Sequence, residues 1–133
     1  MDHKRLAGTV IGVGLVRLAA GVALGGAPRT FLRWERAIPD GSAMVLLMRT
    51  VGIRDLALGW GTTKALRSGT PEEVARWVAA GLVSDALDVA AGLAATRSTG
   101  ARGVVSALIA APMVLADVWA LAALHEQRRT APR

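Results

Sequence analysis

The chain has 133 residues, about the length of one domain, and 53% of them are hydrophobic, with a mean hydropathy of +0.41. It has no cysteine, and its two histidines, His3 and His125, lie near the ends, so we expect no disulfide, no metal centre and no cofactor. The formal net charge is +6, which raises the question of an anionic partner.

The positions of the basic residues favour a membrane over a nucleic acid as that partner. Thirteen of the sixteen lysines and arginines lie at the termini or in and near the connections between apolar runs. Lys and Arg are costly in hydrocarbon but not at the lipid headgroups, so this distribution is typical of a membrane protein. A nucleic-acid-binding module would carry a basic face, with aromatic residues for single strands, and only 4% of this chain is aromatic. We therefore predict a lipid bilayer as the partner and no nucleic acid.

Four apolar runs follow one another along the chain. Their approximate bounds are 6–27, 42–66, 74–95 and 103–124. Each is close to the about 20 residues that cross a bilayer as a helix. The sequence therefore predicts an all-α fold, a four-transmembrane-helix bundle, in a single integral membrane domain comprising residues 1–133.

The connections between the runs carry signals for helix ends. A Pro-Asp-Gly turn is predicted at 39–41, before the second run. Gly69 is expected to stop the second helix, with Thr70 as the cap of the third and Pro71 at its first position. Pro112 lies inside the fourth run, where we expect a kink rather than a break, because neighbouring helices can satisfy the freed carbonyl.

The first run is predicted to be a retained span and not a signal peptide. It is longer than the about 7–15 apolar residues of a signal core, and Arg17 interrupts it. With four spans and the N-terminus inside, eight basic flanking residues lie in the cytoplasm and five outside. We therefore predict a multi-pass protein of the inner (plasma) membrane with both termini cytoplasmic.

A soluble four-helix bundle with unusually apolar helices is the lesser alternative. It would explain the charged residues inside the second run. However, an amphipathic helix of a soluble bundle needs a polar stripe, and the fourth run offers only Ser106 and Asp117.

Charged residues interrupt the apolar runs, and they are the candidate site. Each would cost about 2.5–3.5 kcal/mol at the centre of an isolated inserting helix, so they should face each other or water. Five lie near the middle of their runs and are predicted to form one polar network: Arg17, Arg54, Asp55, Asp85 and Asp88. Arg49 and Asp117 sit off centre and are expected to be peripheral to it and not to pair with each other.

Glycines at helical spacing accompany these charges. Small residues let membrane helices approach closely, so a face that bears both should point at a neighbouring helix. The stripe of the third run is Gly81, Asp85, Asp88 and Gly92. The stripes of the first two runs are Gly14, Arg17, Gly21, Gly25 and Pro28, and Gly52, Asp55, Gly59 and Thr62.

The charges inside the runs do not balance. Three arginines face four aspartates, an excess of one negative charge, and arginine keeps its proton. A buried carboxyl without a partner cation takes up a proton instead. Asp85 and Asp88, one turn apart on one face, are the pair that we expect to share it.

Two motifs carry a resemblance. The segments VGIRDLALGWG, at 51–61, and SDALDVAAG, at 84–92, resemble those of a family of small four-helix membrane proteins of actinobacterial type, a domain of unknown function. There a Gly-x-Arg-Asp-Leu-Ala-x-Gly segment precedes an Asp-x-x-Asp pair. The matching positions here are Gly52, Arg54, Asp55, Gly59, Asp85 and Asp88. The resemblance implies a bacterial membrane bundle and no particular activity.

The function hypotheses differ in the role of the network. In the first, the protein is not an enzyme but a packing or partner subunit, or a small proton-linked carrier using Asp85 or Asp88. In the alternative it is a membrane-embedded enzyme on a lipid-like substrate, with one of these aspartates as acid or base. No catalytic residue is assigned beyond that. A second copy of the chain or another membrane protein is the expected protein partner.

Overall fold

The computed structural model describes residues 3–30 and 42–130, whose regular structure is α-helical. The long helices are α1 (His3–Gly26), α2 (Ser42–Ser68), α3 (Pro71–Thr99) and α4 (Ala101–Thr130). They correspond to the four predicted runs, and α3 and α4 extend beyond theirs at both ends. The turn predicted at 39–41 lies outside the described residues.

Three of these helices are long and apolar enough to cross a membrane. The segments are Leu6–Gly26, Pro71–Thr99 and Gly103–Arg129. α2 has 27 residues, which is sufficient length, but five charged residues lie along it: Arg49, Arg54, Asp55, Lys64 and Arg67. Length and composition therefore support three of the four predicted spans.

The start of α3 and the junction between α3 and α4 follow local sequence signals. Thr70 caps α3: its hydroxyl accepts from the Glu73 amide at 3.2 Å, and the Glu73 carboxylate accepts from the Thr70 amide at 2.9 Å. Pro71 takes the first helical position, as predicted. Gly100, at φ 60°, is the single residue between α3 and α4, and this backbone conformation favours glycine. α4 continues through Pro112.

The four helices form two hairpins, each closed by glycines. A Cβ added to Gly59 of α2 would lie 2.7 Å from the carbonyl oxygen of Gly14 in α1, closer than real Cβ atoms come. One added to Gly21 would lie 2.7 Å from the carbonyl oxygen of Gly52. The α1 and α2 backbones are therefore in direct contact, along the predicted glycine stripes. In the second hairpin, a Cβ on Gly92 would lie 2.9 Å from the Gly103 carbonyl oxygen.

The apolar core lies at one end of the bundle, where the beginning of α1 meets the end of α4. All four helices contribute to it. Its buried members are Leu6, Val10, Ala65, Val74, Val78, Ala120, Ala123 and Leu124. This core joins the two hairpins at the end where α1 begins and α4 ends.

The outer surface is apolar while charged side chains lie inside. Twenty large hydrophobic side chains in the described part of the chain are exposed, including Leu46 at 66%, Leu108 at 64% and Leu115 at 70%. By contrast, Arg17 is 3% exposed and Asp117 is 0% exposed. Soluble proteins keep large contiguous apolar patches off their surfaces, so this distribution fits a bundle surrounded by lipid.

Candidate functional site

The most deeply buried charges form a three-residue group, the Arg17 cluster, made of Arg17, Asp85 and Asp117. Arg17 of α1 donates to both carboxylate oxygens of Asp85 in α3, with Nη1 3.2 Å from Oδ1 and Nη2 2.5 Å from Oδ2. The same Nη2 lies 2.7 Å from Oδ2 of Asp117 in α4. One guanidinium therefore connects α1 to both helices of the second hairpin.

Gly81 makes room for this cluster. A Cβ at this position would lie 2.6 Å from Arg17 Nη2 and 3.1 Å from Asp117 Oδ2. Gly81 stands one helical turn before Asp85 in α3, so the guanidinium fits against bare backbone on the face that carries its partner. Within this predicted stripe, Gly81 thus accommodates a charged side chain rather than the backbone of a neighbouring helix.

A second group, the Arg54 cluster, consists of Arg54, Asp55 and Asp88. Arg54 of α2 donates from Nη1 and Nη2 to the two carboxylate oxygens of Asp88 in α3, at 3.0 and 2.8 Å. Its Nε and Nη2 also contact Oδ1 of the adjacent Asp55, at 3.2 and 3.1 Å. This cluster is less enclosed, since the side chains of Arg54 and Asp88 are 31% and 41% exposed.

Asp85 and Asp88 belong to different clusters, and the proton that the two were expected to share stays a prediction from the sequence. Asp85 is paired with Arg17 and Asp88 with Arg54. Residues three apart in a helix share a face but are about 60° apart around the axis and about 4.5 Å apart along it. In α3 that offset directs the two carboxylates to arginines on two different helices.

Asp117 belongs to the Arg17 cluster, whereas its position in the apolar run predicts a place at the periphery of the network. The apolar run 103–124 is centred between residues 113 and 114, but α4 extends over Ala101–Thr130 and is centred between 115 and 116. Asp117 therefore lies about 2 Å from the helix middle along the axis, instead of about 5 Å. α4 continues past the apolar run into polar residues, and the hydropathy pattern did not show this extension. Arg49 is exposed and takes no part in either cluster.

Each cluster contains one guanidinium and two carboxylates. Both therefore have a formal charge of −1 when every carboxyl is ionised. In the Arg17 cluster, Oδ1 of Asp117 is buried and has no hydrogen-bond partner among the residues that the structure describes. The described residues include no group of three His, Cys, Asp or Glu side chains arranged to hold a metal ion.

Two clefts open at the end of the bundle that holds the apolar core. The larger, about 310 Å³, lies between α2 and α3 beside Trp60, Lys64 and Trp77. The smaller, about 220 Å³, is lined by residues of all four helices, among them Leu6 and Leu124. Neither cleft includes a residue of the Arg17 or Arg54 cluster. The clusters contact other protein groups rather than the lining of these clefts.

Comparison with known proteins gives no family for the chain. No protein-family model matches it, and neither the curated proteins nor the solved structures contain a match. The resemblance carried by 51–61 and 84–92 therefore stays an expectation from the sequence. What the fold and the site establish is an all-helical bundle with a buried Arg17–Asp network and three helices able to span a membrane.

Proposed function

We propose that this chain is a small multi-pass membrane protein in which all four helices cross the bilayer and the ion-pair clusters join the two hairpins. The observation that carries the proposal is the arrangement of these ion pairs. Arg17 of α1 pairs with α3 and α4, and Arg54 of α2 pairs with α3. The pairs Arg17–Asp85, Arg17–Asp117 and Arg54–Asp88 each link the first hairpin to the second, whereas Arg54–Asp55 lies within α2.

Inclusion of α2 as a span rests on where its charges are directed. Arg54 and Asp55 are engaged with α3 or with each other, so neither has to enter lipid unpaired. Lys64 lies within five residues of the C-terminal end of α2, close to where headgroups are expected. Arg67 lies in the last turn of α2. Arg49 is exposed about 10 Å from the helix start, and its long side chain can extend toward the interface.

An even number of spans places both termini on one side of the inner (plasma) membrane, and the eight-to-five division of basic flanks favours the cytoplasm. Reporter fusions that distinguish the two sides test this. We expect cytoplasmic signals from fusions at both termini and at Gly69, and outside signals from fusions within 31–41 and at Gly100. Termini on opposite sides would contradict the four-span arrangement.

The role that the geometry supports best is that of a non-enzymatic packing or partner subunit. Buried ion pairs specify which helix packs on which in some systems. Here the paired carboxylates contact arginines, and the two clefts lie elsewhere. Chemical crosslinking of the full chain in native membranes tests for association with itself or another protein. A monomer at all expression levels, with no crosslinked partner, would count against this role.

Proton-linked transport is the second candidate, and the excess negative charge of both clusters favours it. It predicts that protons cross the membrane of vesicles reconstituted with the full chain. This proton movement should be abolished in Asp88→Asn and unchanged in Arg49→Gln.

The enzyme alternative depends on Asp88, because its partly exposed side chain is more accessible to a lipid-like substrate than the 7% exposed side chain of Asp85. Turnover of a lipid by purified protein, lost in Asp88→Asn, would favour this alternative over the subunit role.

A further inference from the structure

The Arg17 cluster contains one carboxyl more than its single cation can neutralise. Arg17 contacts both oxygens of Asp85 but only Oδ2 of Asp117. The remaining oxygen, Asp117 Oδ1, is buried and has no hydrogen-bond partner within residues 3–30 and 42–130, and the whole residue is 0% exposed. Burying an ionised carboxylate is far more costly than burying a neutral carboxyl, and this cost is offset only when an ion pair is joined by hydrogen bonds to the remaining lone pairs.

The surrounding groups do not supply the missing positive charge. α1 contributes Arg17, which is already paired in two-point fashion with Asp85 of α3. The next charges along the interior are Asp88 of α3 with Arg54 and Asp55 of α2, a cluster that itself has excess negative charge. Within the described residues, the charge environment of Asp117 therefore disfavours a second ionised carboxylate in the Arg17 cluster.

Of the two carboxyls in the cluster, Asp117 rather than Asp85 is the one whose ionisation would give the excess negative charge. A two-point Arg–carboxylate pair is the strongest arrangement that a guanidinium makes, and it requires Asp85 to be ionised. Asp117 keeps its single contact when protonated on Oδ1, because Oδ2 still accepts from Arg17.

We propose that Asp117 is a proton-binding site: in the folded protein at neutral pH its Oδ1 carries a proton, and the Arg17 cluster is electrically neutral. Loss of that proton to water leaves an uncompensated carboxylate beside Asp85 and weakens the contact of α4 with α1. The site thus makes the joint between the hairpins sensitive to pH. This inference rests on the burial of Asp117 within the bundle and not on the cellular role proposed above.

The experiment uses infrared spectroscopy of the full-length protein in detergent, titrated from neutral to alkaline pH. Protonated carboxyls give a carbonyl stretching band that carboxylates lack. We expect this band at neutral pH in the unaltered protein and in Asp88→Asn, its loss on alkalinisation, and its absence in Asp117→Asn. A neutral-pH spectrum without the band, or a band that persists in Asp117→Asn, overturns the proposal.

Thermal unfolding of the same samples gives a second readout. The folded state binds one proton more than the unfolded chain, in which Asp117 is solvated and ionised. The free energy of unfolding of the unaltered protein therefore falls as the pH rises through the range in which folded Asp117 loses its proton. We expect Asp117→Asn, whose amide mimics the neutral acid, to fold and to lose this dependence. Failure of Asp117→Asn to fold contradicts the proposal. So does a pH profile that shifts when Na⁺ replaces K⁺ at constant ionic strength, because a metal cation would then be the ligand.

Discussion

Arg17 and Asp85 are 68 residues apart in the chain, and their side chains form a buried two-point ion pair between α1 and α3. The pair lies beyond the apolar core, toward the middle of the helices, where membrane spans are farthest from water. Its two members belong to different hairpins, and each hairpin is closed internally by glycine contacts. The relative placement of the hairpins therefore depends on electrostatic contacts as well as on the core at one end.

Removing one member of this pair is expected to destabilise the fold strongly. Asp85→Asn leaves Arg17 buried without its main partner, a change that costs about 3–5 kcal/mol in buried pairs. Thermal or denaturant unfolding in detergent measures the loss. Arg49→Gln, on the exposed face of α2, is the matched control and should change stability by no more than about 0.5 kcal/mol. Equal effects of the two variants would show that the pair does not hold the hairpins together.

A substitution in the Arg54 cluster should lower the stability of the protein in detergent less than Asp85→Asn does. Asp88→Asn removes a two-point contact too, but the side chains involved are 31% and 41% exposed, so water can replace part of what is lost. We expect a smaller fall in the unfolding midpoint than for Asp85→Asn. A larger fall in the unfolding midpoint for Asp88→Asn would mean that the Arg54 cluster is the main contact between the hairpins.

Gly81→Ala is expected to act through Arg17. The new methyl group would lie 2.6 Å from Arg17 Nη2, so the guanidinium has to move away from Asp85 or Asp117. Its effect should therefore be non-additive with Arg17→Gln in a double-mutant cycle, with a coupling free energy of about 0.5–3 kcal/mol. Simple additivity would indicate that Gly81 matters for some reason other than space for this side chain.

Gly59 tests the contact within the first hairpin. Gly59→Val places atoms against the α1 backbone at Gly14 and should cost about 1–3 kcal/mol, by overpacking. Gly12→Ala is the control, because a Cβ at Gly12 meets nothing within 4 Å, and replacing a mid-helix glycine adds about 0.5–1 kcal/mol of stability. If Gly59→Val leaves unfolding unchanged, the two backbones are not in direct contact.

Local sequence accounts for the helices and for several of their ends. Apolar runs of suitable length predicted four helices, and Thr70 and Pro71 predicted the start of α3 because capping depends on groups within one turn. Glycine spacing likewise predicted the faces on which α1 and α2 approach each other. These features depend on interactions between residues a few positions apart, which the sequence displays directly.

The pairing of charges was decided by the tertiary structure. The sequence determined that several arginines and aspartates lie inside apolar helices and must meet, because each alone is costly there. It did not determine that Asp85 would face Arg17, that Asp88 would face Arg54, or that Asp117 would join the former. A shift of one helix along another by a single turn, about 5.4 Å, exchanges such partners without altering any helix. That axial register is set by packing between helices far apart in sequence, so only the assembled bundle determines that, among the described residues, Oδ1 of Asp117 is buried without a hydrogen-bond partner.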